Sequence, residues 1–160
     1  MARVYAVTFE NVTVSAAQDL FSLQPADDKP VEIVSIHLSN VGGTGDAGDA
    51  QEELLRLLVR RGHTSVGSGG SSVTAAAPID SSAGATWGFT ARVNDTTIAS
   101  AGTTQDLFAD GWNIRVPYQQ VFLPDARPGA SQANTLLVVR LVAAPADAVS
   151  VSGTLILREV

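Results

Sequence analysis

The chain contains no cysteine, no long apolar run and only one lysine among its 160 residues. The absence of cysteine excludes disulfide bonds and thiolate-bound metal ions, so stability must come from packing or association. No apolar run approaches the roughly 20 residues that cross a bilayer, and the N-terminal residues lack the apolar segment of a signal peptide. We therefore expect a protein without membrane contact, made in a cytoplasm.

Positive charge is also scarce. Nine arginines and Lys29 stand against 16 acidic residues, and the formal net charge is −6. An acidic surface is repelled by phosphate backbones, so nucleic acid is not expected as a direct partner. A length of 160 residues suits one domain with one core, and residues 1–160 are therefore treated as a single domain.

Short apolar runs with a period of two predict strands along almost the whole chain. The strongest signal is Thr135–Val160, which predicts a β-hairpin. Its first arm is apolar on both faces except for Arg140, and its second arm has one apolar face, made of Val149, Val151, Leu155 and Leu157. About ten such strands predict an all-β fold, a two-sheet antiparallel β-sandwich of jelly-roll type.

Three segments depart from plain alternation. A change of apolar parity predicts a bulge or tight turn at Glu10 and Asn11. Ala50–Arg61 fits both a helical stripe and a strand, and a strand from about Leu54 to Arg60 is favoured because the other elements are strands. Gly62–Ala77 has almost no large side chain, which predicts a long exposed loop that is mobile unless a partner orders it.

The segment Gly43–Gly48 has the G-x-G-x-x-G spacing of dinucleotide-binding loops. A dinucleotide site also needs a second buried strand that ends in an acidic residue, and no such strand follows Arg61. Four acidic residues in and after this segment lack the spacing of an EF-hand calcium loop. They are Asp46, Asp49, Glu52 and Glu53. The sequence therefore indicates a flexible acidic loop with a solvated face.

The two histidines, His37 and His63, do not predict a catalytic or metal site. His63 lies beside Ser65 and Ser68, but no nucleophile elbow or orienting acid accompanies them. Without cysteine, a structural zinc site would need a set of carboxylates that the sequence does not offer. We therefore predict no catalytic, cofactor-binding or metal-binding residue, and no enzyme activity.

Segments distributed along nearly the whole chain resemble a group of small tailed-bacteriophage virion proteins. They are Val4–Val12, Ala17–Leu23, Pro25–Ile33, Arg61–Thr64, Gly67–Ser71, Thr97–Thr103 and Gly129–Thr135. Those proteins look like capsid decoration, or cement, proteins. The resemblance implies a jelly-roll fold, assembly as trimers or dimers on the outside of the head, and the major capsid protein as partner.

The resemblance and the residues together predict a virion structural protein that binds and stabilises the outside of the capsid after synthesis in the host bacterial cytoplasm. A homotrimer is favoured, because Arg140 on a strand with two apolar faces is explained if one face meets another subunit. The alternatives are a tail or baseplate attachment module and a jelly-roll carbohydrate-binding module.

The expected contact regions are an exchanging or partner-binding strand at residues 1–9 and the loops Asn40–Asp49 and Gly62–Ala77. Loops with few bulky side chains pack poorly on their own domain, and an edge strand can pair with another chain. The predicted partner-binding residues are Arg3, Val4, Tyr5, Val7, Phe9, Asp46, Asp49, His63 and Ser68.

Overall fold

The computed structural model describes residues 3–40, 53–74, 76–81 and 87–160. These residues form twelve strands in two six-stranded sheets. The strands are β1 Arg3–Val14, β2 Gln18–Pro25, β3 Val31–Ser39, β4 Leu54–His63, β5 Ser71–Val73, β6 Ala77–Pro78, β7 Phe89–Asp95, β8 Gln105–Asn113, β9 Tyr118–Val121, β10 Gly129–Ala130, β11 Leu136–Leu141 and β12 Val149–Glu159. In this part of the chain the single helical element is a 3-10 turn, Pro124–Ala126.

The strands of each sheet are antiparallel and come from distant parts of the chain. The first sheet has the order β10-β3-β12-β1-β6, with β9 also paired to β3, and the second has the order β5-β7-β2-β11-β4-β8. The predicted all-β, two-sheet antiparallel sandwich is confirmed. Successive long strands β1, β2, β3 and β4 alternate between the sheets, an order that is compatible with the predicted jelly roll.

The predicted hairpin of Thr135–Val160 is wrong. Its first arm, β11, pairs with β2 and β4 in the second sheet, whereas its second arm, β12, lies between β1 and β3 in the first sheet. The connection between the arms therefore crosses from one sheet to the other. Alternation identifies which face of a strand is buried, but it does not identify the neighbouring strand.

Two local predictions are confirmed. The favoured strand in Ala50–Arg61 is β4, which begins at Leu54, whereas residues 50–52 lie outside the described residues. The parity change at Glu10 and Asn11 is a bulge, because the register of β1 against β12 shifts between Phe9 and Val12. Asn11 has a φ of 53°, in the left-handed region that asparagine tolerates better than most residues.

The core lies between the sheets and includes Tyr5, Phe21, Leu155 and Trp112, all almost fully buried. The rings of Phe9 and Phe21 meet across the two sheets with centroids 5.2 Å apart. This contact depends on Gly153 beside Phe9, because a Cβ there would lie 2.7 Å from the Phe9 ring. The glycine in β12 therefore makes room for an aromatic side chain on the neighbouring strand.

Candidate functional site

Residues 64–70 and 96–104 fold together over the outer face of the second sheet, and we call these two segments the cap. They run antiparallel, with bridges between Ser65 and Ser100 and between Ser68 and Thr97. Each bridge has two backbone hydrogen bonds, of 3.0 Å in the first and 2.9 Å in the second. The prediction that Gly62–Ala77 is mobile unless a partner orders it is therefore wrong, because the same chain supplies the ordering contacts.

Glycines bring the base of the cap close to β4. Gly62 has a φ of +111° and Gly102 a φ of +80°, conformations that side chains with a Cβ rarely adopt. A Cβ on Gly62 would lie 2.1 Å from the carbonyl oxygen of Thr103, and one on Gly102 would lie 2.2 Å from the carbonyl oxygen of Gly62. The glycine-rich composition thus serves close backbone packing here.

Under the cap, β11 has a second buried face. Leu136 and Val138 form a small cluster with Ala99 of the cap, and all three side chains are buried. Their neighbours on the opposite face of the strand, including Leu137 and Val139, belong to the main core. The apolar character of β11 on both faces, which had favoured a subunit contact, is thus accounted for within one chain.

A buried ion pair fixes the position of the cap. Arg140 donates hydrogen bonds to both carboxylate oxygens of Asp19, at 2.6 and 3.1 Å, and the two side chains are 7% and 0% exposed. The backbone of Ala99 joins the same cluster, since its N–H donates to Asp19 at 2.7 Å and its carbonyl accepts from Arg140 at 2.9 Å. The lone charge among apolar neighbours is therefore paired with a carboxylate, and the ion pair holds one residue of the cap from two sides.

A second carboxylate fixes the other end of the cap. Asp95 is fully buried, accepts from the backbone N–H of Gly70 at 3.0 Å and pairs with Arg92 at 2.7 Å. Arg92 also donates to the hydroxyl of Ser72 at 2.8 Å. The hydrogen bond to Asp95 raises the pKa of Arg92, so Arg92 stays positively charged throughout the ordinary pH range.

His63 lies beneath the cap and not on its surface. Its side chain is buried, and its Nδ1 lies 3.2 Å from the carbonyl oxygen of Ala101, so the neutral ring donates from Nδ1. Nε2 is buried without a hydrogen-bond partner among the described residues. Burial lowers the pKa of His63, the hydrogen bond to Ala101 opposes this, and the charge of Arg140 lowers the pKa further. His63 therefore helps to position the cap as a neutral group.

The outward surface of the cap is uncharged. Neither residues 62–74 nor residues 96–104 contain an acidic residue, a lysine or an arginine. Most exposed side chains are serine, threonine or alanine, but Val66 and Ile98 are 42% and 38% exposed. The centres of protein–protein interfaces are depleted of charge in the same way. The cap therefore combines a hydrogen-bonded backbone, small side chains and two exposed apolar side chains.

The structure separates the predicted partner-binding residues. Tyr5 and Val7 are core residues with 0% and 1% exposure, so their side chains do not reach the surface of this chain. Arg3 is exposed, whereas Val4 and Phe9 are partly buried in β1, which pairs with β12 from Arg3 to Val14. Alternation along β1 turns Tyr5 and Val7 toward the main core.

Of the remaining predicted residues, His63 lies beneath the cap beside Ala101, whereas Ser68 is exposed on the cap and pairs with Thr97. Asp46 and Asp49 lie outside the described residues. Sequence reasoning missed Asp19 and Asp95, which hold the cap. One signal was available, since an isolated arginine in an apolar strand requires a buried counter-ion.

Among the described residues, no group of histidine and acidic side chains is arranged to hold a metal ion. The same residues include no helix with the length and apolar character of a membrane span.

No protein-family model matches the sequence, and the comparison with curated proteins gives no match either. A solved structure of infectious bursal virus derived T=1 particles aligns with a TM-score of 0.14 and 16% identity. The alignment covers 100% of this chain and 40% of that chain.

Proposed function

We propose that this chain is a bacteriophage virion protein that binds the outside of the assembled capsid and stabilises it, with the major capsid protein as its partner. The observation that supports this proposal is the cap, an ordered surface without formal charge on a chain of net charge −6. The acidic remainder favours the exterior of a head, because packaged DNA would repel it from the interior.

The rigidity of the cap bears directly on binding. A loop that becomes ordered only on binding loses conformational entropy, which weakens binding. The cap avoids this cost, because Asp19 and Asp95 already hold it in one conformation. A ligand that binds only the assembled shell shifts the equilibrium toward assembly by mass action. A preorganised uncharged surface can therefore stabilise a shell without adding like-charge repulsion to it.

Co-sedimentation with expanded heads that lack this protein tests the proposal. The variant Val66→Asp/Ile98→Asp places two carboxylates on the cap at exposed positions, so it should fold normally and lose head binding. The matched control is Ile79→Asp/Val116→Asp, which adds the same charge at positions 59% and 57% exposed but away from the cap. Equal binding by both variants would overturn the assignment of the cap, and no binding by the unmodified protein would overturn the capsid function.

Carbohydrate binding is the second candidate function, and one observation favours it. The first sheet carries a concavity of about 530 Å³. Thr8, Thr154, His37 and Gln119 line it in cross-strand register on four neighbouring strands. Their hydroxyl, imidazole and amide groups are donors and acceptors suited to sugar hydroxyls. Binding of the protein to host glycans that is lost on Gln119→Ala, without binding to heads, would favour this function.

A further inference from the structure

A cavity of about 340 Å³ near the start of β3 contains an unbalanced set of charges. Its charged lining residues are Glu32 of β3, Arg61 of β4 and Arg127, two residues before β10. Two guanidinium groups thus face one carboxylate, although the chain as a whole is acidic. The cap contributes no residue to this cavity, which is lined otherwise by Pro30, Val31, Gly129, Ala130, Ser131 and Thr135.

The single carboxylate is already engaged by a third arginine. Glu32 stands opposite Arg158 of β12 in the sheet register, and Arg158 Nη2 lies 3.0 Å from Glu32 Oε2. Arg127 Nη1 lies 3.8 Å from the same oxygen, beyond hydrogen-bonding distance. Glu32 therefore leaves Arg127 without a direct hydrogen bond.

Arg127 is one of three members of the group with an unpartnered buried atom, since Glu32 Oε2 and Arg158 Nε are also buried without a hydrogen-bond partner among the described residues. The Arg127 side chain is 14% exposed, and its Nε is buried without a hydrogen-bond partner among the described residues. Arg61, by contrast, donates to the carbonyl oxygen of Gly129 at 2.9 Å and to Gln105 at 2.7 Å. The bond to Gly129 links the two sheets, and both bonds fix the Arg61 guanidinium at the cavity, whereas Nε of Arg127 has no such partner.

We propose that this cavity binds a carboxylate group, with Arg127 as the main ligand and Arg61 as a fixed neighbouring charge. A guanidinium presents paired N–H donors whose spacing matches the two oxygens of a carboxylate. The surplus within the lining is one positive charge, which a singly charged carboxylate neutralises, and Arg158, outside the lining, adds a further positive charge beside Glu32. Glu32 repels any anion in this cavity, and it repels a phosphate dianion more strongly than a carboxylate monoanion, so phosphate is the poorer ligand. This site does not depend on the proposed capsid function.

The test uses the side-chain Nε–H signals of arginine in nitrogen–proton NMR spectra of the whole chain. Titration with propionate should shift the Arg127 signal saturably, whereas propionamide, which has the same shape without charge, should not. Phosphate should bind more weakly than propionate. The Arg127→Gln variant should lose at least about tenfold in propionate affinity, because a bidentate charge-assisted contact is removed. Arg56→Gln removes the same charge at an exposed position and should bind as the unmodified protein does.

A second variant keeps the test decisive if Arg127→Gln folds poorly. Glu32→Gln removes the competing carboxylate and should strengthen propionate binding, an effect that loss of folding would not produce. An equal response to propionamide, tighter binding of phosphate, or unchanged affinity in Arg127→Gln would each overturn the proposal. So would weaker binding in a folded Glu32→Gln protein.

Discussion

The most consequential residues are the few charged groups that lie beneath the cap. Asp19 and Arg140 are 121 positions apart in sequence, so no local pattern connects them. The apolar setting of Arg140 indicated a contact with another subunit, and not a counter-ion in the same chain. The structure supplies the partner within the chain, because the bulge in β2 against β11 aligns Asp19 with Arg140. The sequence pattern can show that a charged residue is buried, whereas only the three-dimensional fold shows which residue is its counter-ion.

Replacing Asp19 with asparagine should lower the free energy of unfolding by about 3–5 kcal/mol, because Arg140 would remain buried without a counter-charge. The control is Asp106→Asn, which breaks the Arg60–Asp106 pair on the surface, where Asp106 is 48% exposed. That change should cost less than about 1 kcal/mol. Urea denaturation measures both values, and equal losses would show that the buried pair does not stabilise the cap.

His63 should make stability depend on pH just below neutrality. Burial lowers the pKa of His63 in the folded state, so the unfolded chain, with a histidine pKa of about 6.5, binds the proton more readily. Stability contributed by the neutral ring is therefore complete above about pH 6.5 and is lost as the pH falls.

The readout is the difference in unfolding free energy between pH 7.5 and pH 5.5, the interval that brackets the ordinary histidine pKa of about 6.5. The His63→Gln variant should show a smaller decrease than the unmodified protein across that interval. An unchanged decrease would mean that other groups cause the loss.

At the scale of elements, periodicity located strands well and located their partners poorly. Val149, Val151, Leu155 and Leu157 are buried in β12 as their spacing indicated. The same spacing could not show that β12 lies in the middle of one sheet while β11 lies in the other. The cap was missed for a related reason, since glycine, serine and threonine indicate a loop but do not reveal which backbone groups will pair. Composition correctly predicted the small side chains on the surface of the cap, but it wrongly predicted a mobile backbone.

The two faces of β11 should contribute similarly to stability. Leu136 faces the cap and Leu137 faces the main core, and both are at most 1% exposed. Replacing either with alanine should lower the free energy of unfolding by about 2–5 kcal/mol. Leu54→Ala, at a position that is 77% exposed, should change it by less than about 0.5 kcal/mol. A negligible loss for Leu136→Ala alone would mean that the cap opens freely in solution.

At the scale of the whole molecule, self-association remains a proposal. The argument from β11 no longer supports it, because the cap covers the second face of that strand. Exposed apolar side chains elsewhere still favour contact with another copy, since Val121 and Leu123 are 56% and 75% exposed and nearly adjacent. We predict a homotrimer in native mass spectrometry at micromolar concentration. Val121→Asp/Leu123→Asp should shift it toward monomer, and a spectrum of monomer alone from the unmodified protein would contradict the prediction.

The central position of β12 has a consequence for biosynthesis. β1 pairs with β12 from Arg3 opposite Glu159 to Val14 opposite Val149, and β12 also separates β1 from β3. The first sheet therefore has a missing central strand until translation reaches Glu159 and that segment leaves the ribosome. Strand pairing over such sequence separations is slow. During elongation, β1 and β3 have no strand between them. A ribosome that stalls before Val149 therefore holds a chain that cannot complete the first sheet of the sandwich.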